Sequence, residues 1–180
     1  MASKIKVDTL ETANGSGTIA LSNQLSGMTT ASLPALGSAQ MPSGSVLQVI
    51  SATNTNTANG GFLLTTTSTA YVSVPLVVSI TPSSTSSKIM ILVNTTTYRA
   101  ATGYLTLYRG STNIAGTNGL ANPSGSSSSR FEPVSFSYLD SPNTTSSVQY
   151  TLYARTASGT LYVGGDGDLI NSITVMEIKG

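Results

Sequence analysis

Seven carboxylates carry all the acid chemistry of this chain of 180 residues: Asp8, Glu11, Glu132, Asp140, Asp166, Asp168 and Glu177. Asp166 and Asp168 form the one tight pair, alternating with glycines in GGDGD at residues 164–168. Such a loop offers oxygens to a hard cation such as Ca²⁺. Two carboxylates without a third nearby make an incomplete ligand set, and Gly and Asp also serve plain turns. A turn is therefore the expectation, with no metal and no other cofactor. Glycoside hydrolysis needs two carboxyl groups about 5–9.5 Å apart across a sugar. No other spacing forces such a pair: Glu132 precedes Pro133 at a strand start, Asp140 opens the turn DSPNTT, and Glu177 lies near the end. The chain has neither cysteine nor histidine. Their absence removes disulfides, Cys/His zinc sites, His-based triads and imidazole switching. The expectation is a binding or structural protein, not an enzyme.

Eight tyrosines and no tryptophan shift attention to recognition. Sugar rings stack on aromatic faces, and Tyr98, Tyr104, Tyr108, Tyr153 and Tyr162 are the tyrosines least obviously interior. Tyr104, Thr106 and Tyr108 alternate with Leu105 and Leu107, which puts the two rings on one strand face. Tyr104 and Tyr108 are the candidate binding residues. The competing structural reading packs the rings along strand faces with each hydroxyl satisfied. The longest loop, 110–130, is the natural place for variable recognition.

These residues need strands to hold them. Charged residues are only 8% of the chain and the formal net charge is +1, against about a quarter charged in ordinary globular chains. The 29 serines and 27 threonines supply the polarity instead, and threonine suits the half-buried surface of a strand. The eight basic residues are scattered, which argues against nucleic acid as a partner. No apolar run is long enough to span a membrane, so no membrane insertion is expected. The opening MASKIKVDTLE also lacks the apolar segment of a secretory signal, so synthesis in a cytoplasm is expected.

From Val46 onward strand patterns alternate with turn clusters. Strands are expected near 46–52, 71–80, 87–95, 103–109, 131–139, 147–155, 160–164 and 171–178. Val134, Phe136 and Tyr138 oppose Ser135 and Ser137; Val148, Tyr150, Leu152 and Ala154 oppose Gln149, Thr151 and Tyr153. KIMILV and SITVMEI are apolar on both faces, which places them inside a domain or at a subunit contact. A domain of this size favours the subunit contact. Eight short strands and no helical periodicity predict an all-β domain, a jelly-roll-like β-sandwich over 46–180. Residues 1–45 read as an extended N-terminal arm and linker. Its apolar residues Ile5, Val7, Leu10, Ile19 and Leu21 call for a surface to cover them.

The opening KIKVDTLETANGSGTIALSNQL resembles the start of many bacteriophage tail-fibre and virion appendage proteins, notably of marine and cyanobacterial phages. The ending SITVMEIKG is similar to the closing strand of the compact heads such fibres carry. The order SKIMILVNTTTYRA, GYLTLYRGSTNIAG, SSVQYTLYARTASGTLYVGG between them also resembles those heads. The resemblance spans nearly the whole chain. It implies a homotrimer with a head of the tumour-necrosis-factor or C1q type and an arm that attaches to other virion proteins. Ile5, Val7, Leu10, Ile19 and Leu21 become the attachment candidates. Tyr104 and Tyr108 become candidates for a receptor on the host surface, a polysaccharide or a protein. The long repetitive shaft of a full fibre is missing. A protein of the capsid or neck with no receptor role is the alternative, and a free carbohydrate-binding module a third reading.

Overall fold

Period-two alternation is what builds this molecule. The computed structural model describes residues 37–55, 60–99, 102–123, 131–165, 167 and 169–180, and Gly37–Gly180 forms one unit. The attachment candidates Ile5, Val7, Leu10, Ile19 and Leu21, and the pair Asp166 and Asp168, lie outside the described residues. Among the described residues, ten strands follow a short 3-10 turn at Ser38–Gln40: β1 Val46–Asn54, β2 Leu64–Thr66, β3 Val72–Ile80, β4 Lys88–Arg99, β5 Gly103–Arg109, β6 Thr112–Asn113, β7 Phe131–Asp140, β8 Val148–Thr156, β9 Leu161–Val163 and β10 Asn171–Ile178.

The strands form two sheets that pack face to face as a β-sandwich. In the first the order is β1-β10-β4-β9-β2, with β7 paired along the other side of β4. In the second it is β3-β8-β5-β6. Every pairing is antiparallel. The chain crosses between sheets from β2 to β3, β3 to β4, β4 to β5, β6 to β7, β7 to β8 and β8 to β9, the path of a jelly roll. The prolines fit this layout. Pro75 and Pro133 cannot donate to a ladder, and they sit in β3 and β7, which lie at sheet edges.

The core is made by the inward residues of both sheets. Ile89, Ile91 and Val93 of β4 and Ile173 and Val175 of β10 meet Val74, Leu76 and Ile80 of β3, Leu105 and Leu107 of β5, and Leu152 of β8. Apolar side chains of this size stabilise the fold by about 1.5–3 kcal/mol each when fully buried. The alternation expected for β7 is present, with Val134, Phe136 and Tyr138 half-buried and Ser135 and Ser137 exposed.

Two carboxylates secure the sandwich. Asp140, at the end of β7 in the first sheet, accepts hydrogen bonds from Arg109 Nη1 at 3.0 Å and from Tyr150 Oη at 2.7 Å, both in the second sheet. Burial, and then the bond to Asp140, push the Tyr150 hydroxyl well above its ordinary pKa, so it stays a donor. Glu177 is fully buried. Its Oε1 accepts bonds from Ser83 N at 2.7 Å and Ser87 Oγ at 2.6 Å, and its Oε2 one from Gln48 Nε2 at 2.6 Å. Burial pushes its pKa up, while the bonds from Ser87, Gln48 and Ser83 together push it further down, leaving it below the ordinary value. The carboxylate thereby ties the turn between β3 and β4 to β10.

Residues 37–45 lie on the sandwich. Gly44 N donates to Lys179 O at 2.8 Å and Lys179 N to Ser45 O at 2.9 Å. The Lys179 ammonium caps the carbonyls of Ala39 and Met41.

Candidate functional site

With the inward faces spent on the core, chemistry is left to the two outward faces. The outward face of the second sheet carries rings. In the β5–β8 register Tyr104 stands opposite Arg155, Thr106 opposite Tyr153, and Tyr108 opposite Thr151. Side chains at these positions share a face, because both strands keep strict alternation against buried Leu105, Leu107, Leu152 and Ala154. Tyr108 and Tyr153 stack diagonally across the ladder, centroids 3.9 Å apart and planes 22° from parallel. Thr106 beneath them is fully buried although it faces outward, and its hydroxyl donates to Asn113 Oδ1 of β6 at 2.8 Å. The rings therefore roof the sheet.

Arg155 completes the surface. Its guanidinium carbon lies 3.8 Å from the centre of the Tyr104 ring and 5.3 Å from that of Tyr71. A cation over an aromatic face is attracted by the ring quadrupole, and Arg adds planar stacking. The turn after β6 folds onto this corner. Thr117 O accepts from Tyr71 Oη at 3.2 Å and from Arg155 Nη2 at 3.4 Å. Gly119 permits that approach: it has φ +70°, and a Cβ there would stand 2.3 Å from Leu105 O. Among the described residues no carboxylate pairs with Arg155; the ion pair present is Arg109 with Asp140. The result is a half-buried patch of four tyrosines and one positive charge.

The outward face of the first sheet is unlike it. Val49 of β1, Met176 of β10, Met90 of β4 and Leu139 of β7 stand in one row across four strands, set by consecutive registers. Beside them Ser51, Thr174, Leu92 and Ser137 form the next row, with Ser51 and Thr174 hydroxyls 2.9 Å apart. At the far end Tyr162, Tyr98 and Phe131 line up across β9, β4 and β7. Phe62 packs 4.8 Å from Tyr162 and 5.8 Å from Tyr98. Among the described residues Lys88 is the only charged residue at an outward position on β1, β10, β4 and β7. The both-faces-apolar pattern of β4 and β10 is thus real, and among the described residues no element packs over its outward half.

The five tyrosines singled out in the sequence divide between these faces. Tyr104, Tyr108 and Tyr153 belong to the second sheet, Tyr98 and Tyr162 to the first. Tyr71 and Arg155 were not anticipated. Arg155 shares the parity of Tyr153 in YTLYART, which is legible, but its place opposite Tyr104 depends on register. Of the carboxylates weighed for catalysis, Asp140 and Glu177 hold the fold together, while Asp8, Glu11, Asp166 and Asp168 lie outside the described residues. The 110–130 loop contributes Thr117 to the patch; its residues 124–130 lie outside the described ones. No family model matches the chain, and no curated protein is significantly similar to it.

Proposed function

We propose that this chain is a bacteriophage virion protein, a short trimeric fibre or appendage attached through its N-terminal arm and exposing a β-sandwich head for binding to the host surface. The observation that carries the reading is the contrast between the outward faces. One carries an aliphatic row across four strands with a ring cluster at its far end and Lys88 at its border, and the other a patch of rings on which its one cation is stacked. An apolar face whose outward positions hold one lysine suits burial against neighbouring copies of the chain around a three-fold axis, with little charge repulsion and a gain from burying methyl and thioether groups. The tyrosine patch lies on the opposite side of the sandwich, so copies joined through the first sheet keep it open to a receptor. Three linked patches gain avidity that one weak site lacks. The resemblance of the opening and closing segments to virion appendages supports the setting.

Two measurements on the full chain test this. Sedimentation equilibrium should give the mass of three chains, and immunogold labelling of purified phage particles should place the protein at an external appendage. A monomer in solution removes the trimer. Labelling confined to the capsid wall or neck, with no effect of antibody on adsorption to cells, favours the decorating alternative. Particles that lack the protein overturn the virion reading.

A further inference from the structure

We infer that the corner formed by Tyr104, Tyr71 and Arg155 binds an acidic saccharide, a sugar ring bearing a carboxylate or phosphate, with Tyr108 and Tyr153 as the adjoining platform. This deepens the proposed host-surface role and rests on it for biological meaning, though not for its chemistry. A neutral sugar needs rings and neutral hydrogen-bonding groups only. Here the outward surface of the second sheet offers, among the described residues, one cation and no carboxylate. The other arginine whose contacts are described, Arg109, has its charge met by a carboxylate, Asp140 at 3.0 Å. Arg155 has instead two rings and one carbonyl at 3.4 Å. A guanidinium has five N–H donors. Stacking on Tyr104 uses its face and leaves its edge, so among the described residues most of these donors have no acceptor and can meet a planar anion.

The corner is also held in place before any ligand arrives. Thr117 O fixes both the Tyr71 hydroxyl and one Arg155 nitrogen, and the Tyr108–Tyr153 stack fixes the neighbouring rings. Little side-chain freedom remains to be lost on binding. A pyranose laid on the platform would present its ring C–H groups to the tyrosines while an acid substituent reached the guanidinium edge, where charge-assisted bonds form.

The test titrates the full-length protein by calorimetry with three probes: a short oligogalacturonate, a neutral galactan oligomer of equal length, and galactose 6-phosphate. At least one charged probe should bind about tenfold or more tightly than the neutral one, the worth of one charge-assisted contact, and should weaken as NaCl is raised. Which charged probe binds separates carboxylate from phosphate. Arg155→Gln should erase the preference, and Arg155→Lys should keep part of it, with both variants keeping a single cooperative melting transition. Equal affinity for charged and neutral probes, a preference that survives Arg155→Gln, or no binding of any probe overturns the inference. Such failures leave the virion reading standing if labelled particles carry the protein. Particles without it overturn that reading while leaving acid-sugar binding intact.

Discussion

The two sheets bury the same kind of residue and display different ones. Inward, β4 and β10 offer Ile89, Ile91, Val93, Ile173 and Val175, and β3 and β5 offer Val74, Leu76, Leu105 and Leu107; these sets are chemically interchangeable. Outward, one sheet shows Val49, Met176, Met90 and Leu139, and the other Tyr104, Tyr108, Tyr153 and Arg155. Strand alternation lets one sequence carry two unrelated programmes, because each face sees only every second residue. The core therefore says little about function. Both faces carry rings and one cation; the difference lies in the aliphatic row, which only the first has, and in the cation, which only on the second is stacked on the rings. An uncharged aliphatic row gains most from a matching dry surface, whereas a cation backed by rings keeps value only where a solvated partner can reach it.

The contrast is most sharply broken by putting a charge into the aliphatic row. Met176→Asp, at the centre of that row, should weaken self-association on the order of a hundredfold or more, because an unpaired carboxylate would be buried between copies. Tyr108→Ala on the opposite face should leave the mass unchanged. Sedimentation equilibrium of both variants decides, and an unaltered mass for Met176→Asp would show that copies meet elsewhere.

A smaller effect is expected where the sheets are tied together. Asp140→Ala strips the buried Tyr150 hydroxyl of its acceptor and leaves Arg109 only the carbonyl of Ser141. Leaving a buried donor unsatisfied costs about 1–3 kcal/mol, read as a lower urea midpoint at neutral pH. Tyr150→Phe in the same background should recover part of the loss by removing the orphaned hydroxyl. No recovery would mean that the ion pair alone matters.

The smallest effect is conditional on pH and concerns the end of the first sheet. Glu177 has a folded pKa below its unfolded one. Its stabilisation is therefore full above the ordinary glutamate range and is lost as pH falls from there through the folded value. Glu177→Gln should lower stability at pH 7 and lower it less as the acid range is entered, so that the two urea-midpoint curves converge. Parallel curves would show that the serine and glutamine bonds do not distinguish the ionised form.

Much of the fold was legible in the residues. Strands β5 and β10 begin and end where alternation and turn residues placed them, since GYLTLYR and NSITVMEI are bounded by glycine-rich stretches or the end of the chain. Strand β4 runs on to Arg99, past the expected end at 95, because Pro133, Glu132 and Phe131 of β7 pair with Thr96, Thr97 and Tyr98. A polar TTT run gives no hint of that. Strands β2 and β6 were missed, being three and two residues long, too short for alternation to register. Of the candidate site, Tyr104 and Tyr108 were legible as face-mates. Tyr71, far away in sequence, was not, because the link is a shared carbonyl at Thr117 rather than any local pattern.

The order of residues alone determined that this chain is made of strands and which side of each strand is dry, since both follow from a period of two and from where glycine, proline and hydroxyl residues interrupt it. Only the tertiary structure decided which wet sides lie next to one another. Register and sheet order brought Arg155 over Tyr104, lined up Val49, Met176, Met90 and Leu139, and sent the five suspect tyrosines to opposite sides of the sandwich. Those are long-range pairings, and a local pattern carries no term for them.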